Sequence, residues 1–241
     1  MIARNNGRGS LFKRLCKTVY GENKRCFTNF PCPDQIRCVV DFVNNCFREY
    51  EDIYRGLLII VLVLESPHRD EYDQSTKRAI RPANGSTGAS IERNIMNLLR
   101  NAYQLPKARR ALPSKFLLYL VEAVSYQCSN NEKPIIRGKR DELFRKIWRE
   151  FGKDDFERRM SRINPFAVIN ACTGLSRALE SYFRRCNQSI MLSNNFQYMN
   201  SLNVLVQISL DSIWGSDSGV DLLYSAHPSS PNFEKKGLFF R

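Results

Sequence analysis

Between Gly56 and Glu65 the chain runs for eight residues, Leu57 to Leu64, without a single polar side chain. Ile59, Ile60, Val61 and Val63 are β-branched and nothing polar alternates with them, so neither face of the segment is suited to water. Such a run reads as a central strand of a parallel sheet covered by helices on both sides. At eight residues it falls far short of the roughly 20 needed for a membrane-spanning helix. Open parallel sheets bind ligands beyond the carboxyl ends of their strands. That rule makes Glu65, Ser66, Pro67, His68 and Arg69 the first candidate site residues.

The remaining pattern supplies what would cover this strand. Residues 1–30 read as basic and irregular. A helix is predicted from Asp34 to Tyr54, opened by Pro33-Asp34 and closed at Gly56, with Cys38 and Cys46 buried beside Ile36, Val39, Val43, Phe47 and Tyr50. A polar loop from Asp70 to Ala89 leads to a helix from Ser90 to Ala102, capped by Ser90, whose Ile91, Ile95, Leu98 and Leu99 share a face. Basic Lys107, Arg109 and Arg110 precede a second strand from Phe116 to Val124. Residues 137–162 read as a charged helix with Leu143, Ile147, Trp148 and Phe151 inward and its Lys and Arg residues solvated. A strand from Ala167 to Ala171, a helix from Leu175 to Phe183, and strands from Val204 to Ile208 and Asp221 to Ser225 complete the series. The alternation predicts an α/β fold in three layers, with a central, mainly parallel sheet of four or five strands and helices on both faces. The organisation expected is a basic, Cys-rich extension over residues 1–55, with a helix packed on the core, followed by an α/β domain over residues 56–241.

Lys and Arg number 37 against 24 Asp and Glu, a formal charge of +13 that points to a polyanionic partner. The eight cysteines include no CxxC pair, and neither His68 nor His227 completes a zinc-binding spacing, so reduced thiols and no metal are expected. There is no Walker A loop, no G-x-S-x-G elbow and no recognisable export signal. A monomer without a cofactor and without a membrane attachment is expected, cytoplasmic in a bacterial or phage setting and nuclear or mitochondrial in a eukaryotic one.

Two predicted strand ends carry unusual polar punctuation, Leu64-Glu65-Ser66-Pro67-His68 and His227-Pro228-Ser229, and between them stands Arg81-Pro82-Ala83-Asn84-Gly85-Ser86-Thr87-Gly88. In order and approximate spacing these segments resemble the motifs of the uracil-DNA glycosylase superfamily. Its first motif follows a buried strand as G-E-A-P-G or G-Q-D-P-Y-H, its thermophile-type branch carries R-P-F-x-G-x-x-G, and its last motif is H-P-S. The resemblance spans roughly residues 55–241.

That resemblance implies a uracil-DNA-glycosylase-like fold and a monofunctional DNA glycosylase, which flips a nucleotide from the duplex and hydrolyses the bond between base and sugar to leave an abasic site. Such cleavage builds positive charge on the sugar and negative charge on the departing base, so a carboxylate and a hydrogen-bond donor are both required. By resemblance Glu65 is the carboxylate and His227 donates to the base O2. The other branch places its acid at the next position, here Ser66, and Asp70 and Glu71 stand in reserve. The family's base-reading Asn aligns with Glu122, which as a carboxylate would accept from N4 of cytosine rather than pair with O4 of uracil. Ala83 replaces the stacking Phe, His68 replaces a bulky residue that excludes 5-substituents, and Tyr72 is a substitute stacking ring. These departures imply a roomier pocket for a 5-modified cytosine, as in hypermodified phage DNA, and hence a defence role. Excision of uracil or another deaminated base in repair, or a catalytically inactive DNA-binding relative, remain open alternatives. Ser66, Ser86, Ser229 and Ser230 are candidates for holding phosphate oxygens, Phe233 for the apolar wedge that fills the vacated stack, and Lys235, Lys236 and Arg241 for phosphate attraction. The DNA would be double-stranded with a flipped base, or single-stranded. The branch's four-cysteine iron–sulfur cluster is not implied, because the cysteine spacing differs.

Overall fold

The computed structural model describes residues 3–21, 28–108, 110–129, 137–173, 201–215, 218–230 and 232–240. Seven strands form one mixed sheet: β1 (Gln35–Asp41), β2 (Cys46–Arg48), β3 (Ile59–Leu64), β4 (Lys115–Glu122), β5 (Ala167–Asn170), β6 (Asp221–Tyr224) and β7 (Phe239–Phe240). Their spatial order is β2-β1-β4-β3-β5-β6-β7. The four central strands β4, β3, β5 and β6 run parallel, while β1, β2 and β7 are antiparallel additions at the two edges. The α/β class and the layered arrangement are as the sequence predicts, and the parallel core has the expected number of strands. The whole sheet is larger and more mixed than expected.

The apolar run does become the central strand. β3 pairs with β4 on one side and β5 on the other, and Ile60, Val61, Leu62 and Val63 are each 0% exposed. Side chains alternate across a strand. Val61 and Val63 therefore enter one apolar cluster, and Ile60, Leu62 and Leu64 enter the other. The second cluster is closed by α2 (Ser86–Tyr103) through Ile91, Ile95, Leu98 and Leu99. The first is closed by α1 (Ala3–Tyr20), α3 (Arg137–Ile147), α4 (Lys153–Met160) and α5 (Leu202–Ile213), through Phe12, Leu143, Phe156 and Val206 among others. A five-residue π turn, Trp148–Gly152, joins α3 to α4. A short sixth helix, α6 (Asn232–Lys236), precedes β7.

The route of the chain positions a crevice. From β3 it crosses one face through α2 to β4, then returns across the opposite face through α3 and α4 to β5. The connection leaving β3 thus crosses one face, while α5, which leads into β6, packs on the opposite one, and a cleft lies at the carboxyl ends of neighbouring β3 and β5. Among the described residues, no helix is long and apolar enough to cross a membrane.

Four sequence expectations are corrected. The helix expected from Asp34 to Tyr54 is instead the β1–β2 hairpin, with Val43 exposed and Asn45 at φ 50° in the turn. Asp41 fixes that turn by accepting from the backbone and side-chain N–H groups of Asn44, and the β-branched Ile36, Val39 and Val40 suit pairing with β4. Residues 3–20, expected to be irregular, form α1, whose Phe12, Leu15, Cys16 and Val19 recur at helical spacing and are buried. Residues 204–208, expected as a strand, lie within α5, where Leu202, Val206 and Leu210 face the core. α2 begins at Ser86, so Ser90 is not its cap; the Ser90 hydroxyl donates to the Pro228 carbonyl instead. The helix expected from Leu175 to Phe183 lies outside the described residues.

Because Leu62 is covered on all sides, truncating it leaves a cavity that the sheet cannot collapse into. Leu62→Ala is expected to destabilise the fold by about 3 kcal/mol. In urea unfolding the midpoint should fall while the slope stays unchanged.

Candidate functional site

A pocket of about 280 Å³ occupies the crevice, just below the roughly 300–1,000 Å³ typical of ligand sites. Its walls come from the carboxyl ends of the parallel strands: Leu64 closing β3 and Glu65 after it, Glu122 closing β4, Thr173 after β5 and His227 after β6. The loop over residues 83–87 and the start of α2 form another side. Segments far apart in sequence are thus brought together here, and Glu65, Ser66, His68, Ala83, Ser86, Glu122, His227 and Ser229 all line the pocket.

Glu65 is 3% exposed. Its Oε1 lies 3.2 Å from Nε of Arg140, while Oε2 has no hydrogen-bond partner among the described residues. Burial raises the Glu65 pKa, and Arg140 and Thr173 oppose the rise. Arg140 is held in turn by Asp141, to which its Nε and Nη2 donate at 2.8 and 2.6 Å. The outcome is a desolvated carboxyl group at the pocket wall, with one oxygen anchored by Arg140 and the other buried without a hydrogen-bond partner among the described residues.

His227 is half-buried, and burial lowers its pKa to about 4, with help from Arg140 and His68. It is therefore neutral at pH 7. The Ser229 backbone N–H donates to Nδ1 at 3.2 Å, and the Ser229 hydroxyl lies 2.8 Å from the same nitrogen. A nitrogen that accepts a backbone N–H carries no proton, so the ring proton resides on Nε2. The turn that achieves this is closed by the Ser230 N–H donating to the His227 carbonyl and is tied to α2 by the Ser90–Pro228 bond of 2.6 Å.

Glu122 is 0% exposed, and neither of its carboxyl oxygens has a donor among the described residues. Burial and then the negative charges of Glu71, Asp34 and Glu65 push its pKa well above the ordinary carboxylate value, against the pull of Arg159. Such a desolvated, acid-rich site favours the neutral acid over the carboxylate expected from the sequence. Its backbone is fixed from behind by Arg159, whose Nη2 donates at 2.8 Å to the Glu122 carbonyl while the same guanidinium binds Asp34 and Asp155.

Two expected roles do not fit. Phe233 is 1% exposed within an apolar cluster that includes Leu238 and Phe240, so it is packed as core and not presented as a wedge. Tyr72 is 3% exposed and is absent from the pocket wall, being drawn into a bridge with Ala79. Ser230 is not among the lining residues, and Lys235 is exposed on α6. The side chain of Lys236 and all of Arg241 lie outside what is described.

Sequence reasoning missed Arg140, Thr173 and the pairing of Glu71 with Glu122. Nothing in the sequence separates Arg140 from its basic neighbours in α3, since only the fold turns it toward Glu65. Glu71, carried in the sequence only as a reserve acid, lines the pocket at 5% exposure. No protein-family model, curated protein or solved structure matches this chain.

The loop bearing Ala83 is packed against α2 so closely that a Cβ on Gly88 would lie 2.2 Å from the Ala83 carbonyl oxygen and 3.0 Å from Nη2 of Arg37. Gly88→Ala should therefore cost about 1–3 kcal/mol through overpacking, lowering Tm. Gly7→Ala, where a Cβ meets nothing within 4 Å in α1, should leave Tm unchanged or raise it.

Proposed function

We propose that this pocket is the active site of a monofunctional DNA glycosylase related to the uracil-DNA glycosylase superfamily. The observation that carries the reading is the pairing, in one base-sized cavity, of a desolvated Glu65 with a free oxygen and a neutral His227 whose proton sits on Nε2. N-glycosidic cleavage calls for those two properties together. The four-stranded parallel core with its cavity at the strands' carboxyl ends, and the Glu65, residues 81–88 and His227 segments converging on it, support the same reading.

A nucleotide extruded from the stack enters the cavity. As the bond to the base lengthens, positive charge grows on the sugar, and the ionised Glu65 stabilises it and orients the attacking water. Arg140 holds Glu65 in place and favours its charged form. The departing base gathers negative charge on O2, to which His227 donates from Nε2; as a neutral donor it binds the developing anion without first attracting a resting one. Ala83 and His68 leave room beside the base, consistent with a 5-modified cytosine. Ser86, Ser229 and Ser230 with exposed Lys235 and the basic side chains of α1 would engage the backbone. Because phosphate attraction of this kind weakens as salt rises, binding should show a negative salt slope.

One observation favours a second reading. A protonated Glu122 has a hydroxyl to donate, which would suit O4 of uracil as well as an acceptor oxygen suits N4 of cytosine.

Duplexes carrying a single uracil or a single 5-hydroxymethylcytosine, treated with the protein and then with alkali, test the proposal. Cleavage should fall roughly 10²–10³-fold in both Glu65→Gln and His227→Ala, with Tm retained. The wild-type rate should decline as pH drops through the raised Glu65 pKa, since only the ionised form serves. Cleavage untouched by both substitutions would remove these residues from the mechanism, and DNA binding without any cleavage would favour a binding module.

A further inference from the structure

Glu71 ends the 3₁₀ turn Arg69–Glu71, five residues beyond the Glu65 loop's start at Ser66, and its carboxyl group meets that of Glu122 at the pocket wall. Both side chains are buried, at 5% and 0% exposure. As two carboxylates neither could donate to the other, and both Glu122 oxygens together with Oε2 of Glu71 would be left without partners. Two like charges in contact in a desolvated site are expensive, and one shared proton converts the clash into a hydrogen bond.

The surroundings decide where that proton sits. Burial pushes the Glu71 pKa up to about 8, and the backbone N–H groups of His68 and Ala83, together with the Glu122 side chain, oppose that rise. Glu122 has no such help: Glu71, Asp34 and Glu65 all oppose its charge. Arg159 is the cation nearest to it in effect, but that guanidinium is engaged with Asp34 and Asp155. The remaining titratable neighbours, Asp70 beside Glu71 and the buried Cys32, Tyr72 and Cys172, supply no positive charge. Glu122 therefore keeps the proton and donates it to Glu71.

We propose that Glu71 is a positioning residue for base selection, which captures the Glu122 hydroxyl so that the remaining Glu122 oxygen meets the base purely as an acceptor for an exocyclic amino group. This rests on the glycosylase reading and decides between its two substrate classes. A cytosine-type base offers N4–H to that oxygen, whereas uracil or thymine would set O4 against it, acceptor to acceptor. A neutral acid alone would not discriminate, because its hydroxyl could turn to either base. Discrimination comes from the captured proton.

The test compares excision of 5-hydroxymethylcytosine and uracil by the wild type, Glu71→Gln and Glu71→Met, alongside Tm measured against pH. Wild type should favour the amino base. Glu71→Met removes the acceptor for the Glu122 hydroxyl and should narrow that preference roughly ten- to a hundredfold, with its uracil excision fading as pH rises and the freed hydroxyl ionises. Glu71→Gln still offers an acceptor carbonyl and should restore the preference. An unchanged ratio in Glu71→Met overturns the proposal.

The Tm profile reports on the pair without reference to activity. An acid whose folded pKa is raised stabilises fully below its unfolded pKa of about 4.3 and loses that contribution as pH rises through the folded value. Wild-type Tm should therefore decline with rising pH, and both Glu71→Gln and Glu122→Gln should flatten the decline. A slope unaltered by both substitutions overturns the shared proton. A flattened slope in a protein that cleaves neither duplex upholds the pair, while ending the glycosylase reading and the base selection built on it.

Discussion

A strand that is apolar on both faces dictates most of this molecule. Once β3 is committed to the middle of the sheet, helices must cover it twice, and the crossovers that achieve this on opposite faces open the cleft at its carboxyl end. The first polar residue after the run, Glu65, then emerges at the pocket wall desolvated, at 3% exposure. The same geometry delivers Glu122 from β4 and His227 from beyond β6 into the same shielded volume. Burial, more than any particular neighbour, is the leading cause of the shifted pKa values of all three.

The chain carries a formal charge of +13, yet its pocket is lined by Glu65, Asp70, Glu71 and Glu122 against Arg140 as the one fully charged base among its described lining residues. The two facts suit different parts of one ligand. A basic exterior attracts a phosphate backbone at long range, while an acid-rich interior repels phosphate and admits a neutral base with hydrogen-bond donors, or a sugar acquiring positive charge. Under the proposed function this contrast sorts a nucleotide, leaving its phosphates at the rim and drawing its base inward.

The features legible in the sequence are those with a strong local signature. The run from Leu57 to Leu64 has no alternative to a doubly covered strand, the polar residues that punctuate the strand ends mark out Glu65 and His227, and the family resemblance adds Ala83 and Glu122; all four line one pocket. Short apolar windows are less legible. Val204 to Ile208 fits a buried strand or a buried helix equally well over five residues, and only the longer spacing of Leu202, Val206 and Leu210 separates them. The segment from Asp34 to Tyr54 misleads for a related reason, since its turn depends on Asn45 taking a left-handed conformation and on Asp41 gripping Asn44, neither of which has a period to read. Arg140 and the Glu71–Glu122 contact are illegible because they exist only between elements.

Four carboxyl oxygens on residues that line this pocket, Oε2 of Glu65, Oε2 of Glu71 and both oxygens of Glu122, have no hydrogen-bond partner among the described residues, and each such group costs stability. The structure does not lack the means to hold these side chains: Arg140 grips one oxygen of Glu65, and Arg159 grips the backbone carbonyl of Glu122. Both contacts leave those oxygens unpaired. The walls are thus held by their supports, with Ser90 and Pro228 clamping the His227 turn to α2 in the same way, while Oε2 of Glu65 and the Glu122 oxygen not engaged by Glu71 are left as acceptors without a donor. Acceptors that are rigidly placed and already desolvated bind a donor without reorganising. The cost borne by the empty pocket is recovered only when a molecule arrives carrying hydrogen-bond donors, and the number and placement of those donors is what such a site selects.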